Sequence, residues 1–168
     1  MARKEDMSNS GGTDTGELGV FALNETTVGM RGSNNKRSDI QLVQFFLRQF
    51  YKSHPELFVL LPKTKSPSTL ITIDGDCGGQ TKTGILVFQR QRRQVGGTIA
   101  VDGIVNVAHS LMSSISKTGY TIHHLNQWFN DFADGKEFNG NLENHPEIIA
   151  FAPELQAELA AAKVGNEF

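Results

Sequence analysis

Asp74-Gly75-Asp76-Cys77-Gly78-Gly79-Gln80-Thr81 and Asp102-Gly103-Ile104-Val105 are the two stretches whose reading decides the fold. The first follows Leu70-Ile71-Thr72-Ile73 and the second Ile99-Ala100-Val101, both short and extended in character. An Asp carboxylate accepts hydrogen bonds from the amides ahead of it, and a following Gly takes backbone angles that other residues avoid. The pair therefore predicts an internal repeat of extended stub, Asp-Gly turn and helix. Thr81, seven residues after Asp74, is placed to cap the helix that follows.

Helical periodicity surrounds these turns. Upstream, Ile40, Val43, Phe46, Leu47 and Phe50 recur at helical spacing, with Ser38 as the expected cap. That helix must end by His54, because the residue before Pro55 is pushed out of the α region. A long connection follows, from Pro55 to Thr69. After the first turn, Gly84, Ile85 and Phe88 mark a second helix that runs to about Gln94 and stops at Gly96-Gly97. After the second turn, a third helix is expected from about Ala108, burying Leu111, Met112 and Ile115. Two more are expected: one capped by Thr121 and carrying Ile122, Leu125, Phe129 and Phe132, and one with Pro153 at its first position. The last would turn Leu155, Leu159 and Ala162 inward and stop at Gly165.

The 168 residues allow one domain plus appendages. Residues 1–35 are rich in Ser, Gly, Thr and Asn, too polar to offset the entropy of ordering them, and read as a flexible leader. Leu18-Gly19-Val20-Phe21-Ala22-Leu23 is the exception, able to dock on the domain or on a partner. A net charge of -2 favours neither nucleic acid nor an anionic membrane. Cys77 is the single cysteine, which excludes a disulfide framework and a cysteine-rich zinc site. The N-terminus carries no apolar h-region, so delivery outside the cytoplasm would need a route other than the ordinary secretory signal. No stretch approaches the roughly 20 apolar residues of a membrane span.

Taken in order, these residues resemble the peptidoglycan-binding-like family, a three-helix module found on many cell-wall hydrolases. Ile40, Val43-Gln44 and Leu47 match its first helix; Asp74-Gly75, Gly78 and Thr81 match its first loop in full. Gly84-Ile85 and Phe88-Gln89 match its second helix, and Asp102-Gly103-Ile104-Val105 its second loop. Departures follow, with Asn106 where the family has Gly and His109 where it has Thr. The resemblance covers Ser38 to Ser116 and implies an all-α three-helix bundle with two short extended segments, here followed by extra C-terminal helices. It divides the chain into a leader (1–35), the family domain (36–118) and a helical extension (119–168). Gln44, Asp74, Gly75, Gly78, Thr81, Phe88, Asp102 and Gly103 would be scaffold. The implied activity is non-catalytic binding of peptidoglycan, through its glycan or its stem peptide, at the cell wall or periplasm. The alternative is a structural adaptor of a phage or secretion apparatus that keeps the fold and binds a protein partner.

The candidate ligand surface is the outer face of the second helix. Lys82, Leu86, Gln89 and Arg93 fall on one stripe with Arg90 beside it, and an arginine can grip a carboxylate through two parallel hydrogen bonds. A solvated helix face explains the same stripe. Tyr120 and Trp128 could stack on sugar rings, while a lone tryptophan on an amphipathic helix also reads as core. No enzyme is expected, and no metal or cofactor. His123-His124 point to different sides of a helix, and Cys77 has no positioned base unless His109 supplies one. Glu143, Glu147, Glu154 and Glu158 read as solvated charges, and Arg90-Gln91-Arg92-Arg93 is too short to argue for nucleic acid.

Overall fold

A computed structural model describes residues 2–6, 20–31, 36–64, 70–108, 119–133, 135–162 and 164–165. The order of elements is β1 (Arg3–Asp6), β2 (Val20–Leu23), β3 (Val28–Gly29), α1 (Arg37–Ser53), α2 (Pro55–Phe58), α3 (Gly79–Gln94), β4 (Ile104–Val105), α4 (Thr121–Phe132), α5 (Gly135–Phe138), a 3-10 turn (Leu142–Asn144), α6 (Pro146–Phe151), α7 (Pro153–Ala161) and β5 (Val164–Gly165). The chain is mostly helical but not all-α, because two small sheets are part of it. One has the order β2-β1-β5, with β1 antiparallel to β2 and parallel to β5; the other pairs β3 with β4.

The helix α1 is the hub. Ile40, Val43, Phe46, Leu47 and Phe50 are buried as their spacing predicts, and so are Leu42, Phe45 and Tyr51 on its other sides. A helix buried nearly all round lies at a centre, with neighbours on every face. It packs on α3, α4 and α7. Phe45 meets Phe129 edge-on at 5.4 Å, and Phe50 does the same with Phe88 at 4.9 Å and Trp128 at 5.3 Å. The helix stops before Pro55 as expected, but Ser38 does not cap it. Lys36 holds the capping position, while Ser38 lies one residue inside the helix and hydrogen-bonds Glu158.

The leader expectation fails for residues 2–6 and 24–31, while Val20–Leu23 docks on the domain, one of the two options its sequence offered. Phe21, Leu23 and Val28 are fully buried in the core, and β1 threads between β2 and β5. Arg3-Lys4-Glu5-Asp6 has no strand signature; it is held through its charges. Lys4 is buried and donates to the Gly140 carbonyl at 2.9 Å and to both carboxylate oxygens of Glu143, while Arg3 reaches the Ala108 carbonyl. The outer edge of β2 is closed by side-chain amides that imitate a neighbouring strand. Asn126 accepts from the Ala22 amide and donates to the Ala22 carbonyl, both at 2.9 Å, and Asn139 accepts from the Val20 amide. Unpaired strand edges invite foreign pairing, and this edge is covered.

Two other expectations need correction. The extended stubs before the turns join neither sheet: residues 70–73 lie outside every named strand, and Ile99 forms an isolated bridge to Gly119. The paired residues come after the second turn, at Ile104–Val105. Thr121 opens α4 but does not cap it; Tyr120 holds that place. The helix expected from Ala108 through Leu111, Met112 and Ile115 lies outside the described residues. Further on, α7 turns Leu155 and Leu159 inward as predicted, with Pro153 at its start. Glu147, expected to be a solvated charge, instead gathers Arg48, Gln49 and Lys52 of α1 and so ties α6 to the hub. Glu143, paired with Lys4, and Glu158 are likewise engaged.

Candidate functional site

Each Asp-Gly turn is held by a buried glutamine from the helix before it, and the two arrangements are copies. In the first, Gln44 Oε1 accepts from the Asp74 amide at 3.1 Å and the Gly75 amide at 2.9 Å. Its Nε2 donates to Asp74 Oδ1 at 2.9 Å, to the Asp76 carbonyl at 3.0 Å and to Thr81 Oγ1 at 3.1 Å. In the second, Gln89 Oε1 accepts from the Asp102 and Gly103 amides at 3.1 and 2.8 Å. Its Nε2 donates to Asp102 Oδ1, to the Ile104 carbonyl and to Thr121 Oγ1 at 3.3, 3.1 and 2.9 Å. Both carboxylates also take the amide two residues ahead, Asp76 for Asp74 and Ile104 for Asp102. Gly75 and Gly103 have φ of +77° and +73°, the left-handed region that glycine reaches without strain.

A primary amide is suited to this task, since one side carries two acceptor lone pairs and the other two donors. The clamp explains why Thr81 and Thr121 matter, and neither acts as a helix cap. Their hydroxyls complete the ring around the glutamine. The first loop brings in its threonine seven residues after the Asp, the second nineteen after it. The second threonine thus comes twelve residues later along the chain, on α4, and not near His109, which lies outside the described residues. A cut at 118/119 would separate Gln89 from Thr121.

The ligand stripe on α3 does not survive as one surface. Gln89 is 0% exposed and fully engaged by the second turn, so it belongs to the scaffold. Arg90 and Arg93 are exposed, and Lys82 and Leu86 are partly so. Trp128 is only 4% exposed and packs against Phe50, so no face is offered to a sugar ring. Tyr120 is half-buried, with its ring 5.7 Å from His123. Of the residues expected to be scaffold, Gln44, Thr81 and Phe88 are buried, Gly75 and Gly103 shape the turns, and Gly78 precedes α3. The sequence did hold the signal for Gln89, since Phe88-Gln89, like Val43-Gln44, sets a glutamine directly after a core-facing apolar residue.

Burial pushes the Cys77 thiol up from its ordinary value, which disfavours the nucleophilic thiolate. Among the described residues no group of three or more His, Cys, Asp and Glu side chains could hold a metal ion, and no helix is long and apolar enough to cross a membrane. A cavity of about 10 Å³, with Lys4, Asn126, Asn130 and Asn139 among its walls, has room for one water.

His124 does titrate differently from a free histidine. Burial lowers its pKa below 6.5 and the Arg92 charge adds to this, against the opposing hydrogen bond to the Thr98 carbonyl. A base with a depressed folded pKa contributes stability that is complete above the unfolded value and is lost as pH falls. The thermal midpoint is therefore expected to drop below pH 6.5, the ordinary value for the group, and His124→Gln should flatten part of that acid limb. Equal slopes for the two proteins between pH 7 and pH 5, measured by circular dichroism, would remove the assignment.

Comparison with protein families, with curated proteins and with solved structures finds no match to this chain.

Proposed function

We propose that the chain is a non-catalytic module that binds the bacterial cell wall. The observation that carries this reading is the duplicated clamp, in which Gln44 and Gln89 hold two Asp-Gly turns through the same set of hydrogen bonds. The residues of that clamp are among those through which the sequence resembles peptidoglycan-binding-like domains, and this supports the reading. Fold likeness alone does not fix a ligand, and the test must be one of binding. Arg90 and Arg93 are exposed cations of α3, and the sequence makes them the first candidates to meet peptidoglycan carboxylates.

The purified chain is expected to co-sediment with insoluble sacculi at micromolar concentration. Arg90→Ala/Arg93→Ala should weaken pelleting if these cations lie at the contact; pelleting that survives moves the contact elsewhere. A chain that stays in the supernatant sinks wall binding and favours the second reading, an adaptor within a phage or secretion apparatus. That reading draws on exposed apolar side chains, Val59 and Leu60 beyond α2 and Ile149 and Phe151 on α6, which a protein partner would cover.

A further inference from the structure

Where the last turns of α3 meet α4, the fold leaves polar atoms unanswered. Arg92 lies partly buried on α3, within range of the charges of Asp131 and His124 on α4. Its Nε–H is shut off from solvent and has no acceptor. On α4, Gln127 donates to Asp131 at 2.8 Å while its own buried Oε1 receives nothing. Buried polar groups are paired in the great majority of cases, so an open donor on Arg92 and an open acceptor on Gln127, both beside Asp131, ask for a reason. Beside them Phe132 is 64% exposed, its ring 6.0 Å from that of Trp128.

We infer that this surface receives the carboxylate-bearing stem peptide of the wall polymer, not its glycan strand. The inference rests on the wall-binding reading above. Arg92 takes the carboxylate through two parallel N–H donors, and turning outward to do so gives its Nε–H the acceptor it lacks. Asp131, which is exposed, accepts from the amide N–H or ammonium groups of the same peptide, and Gln127 joins it by turning its buried Oε1 outward. Phe132 receives a methyl side chain on its open face. A cation and an anion set side by side suit a zwitterionic chain, whereas a neutral sugar offers neither of them a charge. Arg90 and Arg93 are open to water and already hydrated, so binding improves their surroundings less than those of Arg92.

Trp128 is the chain's one tryptophan and stands next to this surface, so its fluorescence reports on occupancy. The full chain would be titrated with a synthetic stem tetrapeptide and, separately, with a chitin tetrasaccharide. The peptide is expected to give a saturable change and the saccharide none. Arg92→Ala should weaken the peptide by about tenfold or more, as loss of a bidentate pair implies, and Arg90→Ala/Arg93→Ala by less than about twofold. Phe132→Ser, at a largely exposed position, should weaken it as well. A flat peptide titration, a response to the saccharide alone, or Arg92→Ala and Phe132→Ser binding like the parent overturns the assignment. Sacculus pelleting combined with a flat peptide titration sinks this surface and leaves wall binding intact; no pelleting and a flat titration sink both.

Discussion

Gln44→Ala is expected to destabilise the protein by about 3–5 kcal/mol, and Gln89→Ala by a similar amount, because each leaves buried amides of an Asp-Gly turn without an acceptor. Each glutamine serves two backbone amides, a backbone carbonyl, a carboxylate and a hydroxyl. Truncation removes them all at once, and a methyl group cannot restore any. Against a total stability on the order of 5–15 kcal/mol, that is a large share. Gln44→Glu is the sharper variant. Its two oxygens still accept from the Asp74 and Gly75 amides, but they face Asp74 Oδ1, the Asp76 carbonyl and Thr81 Oγ1 without the amide hydrogens that now bridge them. It should therefore be no more stable than Gln44→Ala near neutral pH, and should recover as its carboxyl is protonated in acid. Urea unfolding followed by circular dichroism measures each midpoint. If Gln44→Ala unfolds within experimental error of the parent, the clamp does not hold the fold.

Removal of residues 1–31 should abolish cooperative unfolding altogether, although their composition reads as a leader. The deletion uncovers the space filled by Phe21, Leu23 and Val28, each no more than 1% exposed. It also strands Asp39, a fully buried carboxylate that accepts from the amides of Glu25 and Thr26 and from the Thr26 hydroxyl. A buried charge stripped of its partners is among the costliest defects a core can carry. The β3–β4 pair disappears with the same residues, and with it the close approach of Gly29 to the Gly103 carbonyl, where an added methyl group would collide. A milder variant, Leu23→Ala, should cost about 2–5 kcal/mol through the cavity it leaves. Near-UV circular dichroism and a urea titration on both proteins decide the matter. A soluble deletion product with a native near-UV signal and a sharp transition would show that the N-terminal strands merely decorate the domain.

Much of the helical framework is visible in local chemistry. Proline at 55 and 153 marks helix boundaries, and the apolar spacing from Ile40 to Phe50 describes the hub, because fixed φ angles and a 3.6-residue period act within a few positions. The two Asp-Gly turns are visible for the same reason. The apolar-Gln pairs at 43–44 and 88–89 are visible too, yet only Gln44 reads as scaffold from the sequence. The exposed-looking stripe through Lys82 and Arg93 obscured the matching role of Gln89.

What no local signal carried were contacts between distant segments. Arg3-Lys4-Glu5-Asp6 becomes the middle strand of a sheet because Glu143, Gly140 and Ala108 answer its charges from more than 100 residues away. Thr121 joins the second turn across a connection that no fixed spacing predicts, and Asn126 finishes a strand edge from within a helix. A turn or a helix start is decided by neighbours along the backbone, so composition and spacing reveal it. A buried polar group takes whichever partner the packed core brings within 3 Å, and only the folded chain selects that partner.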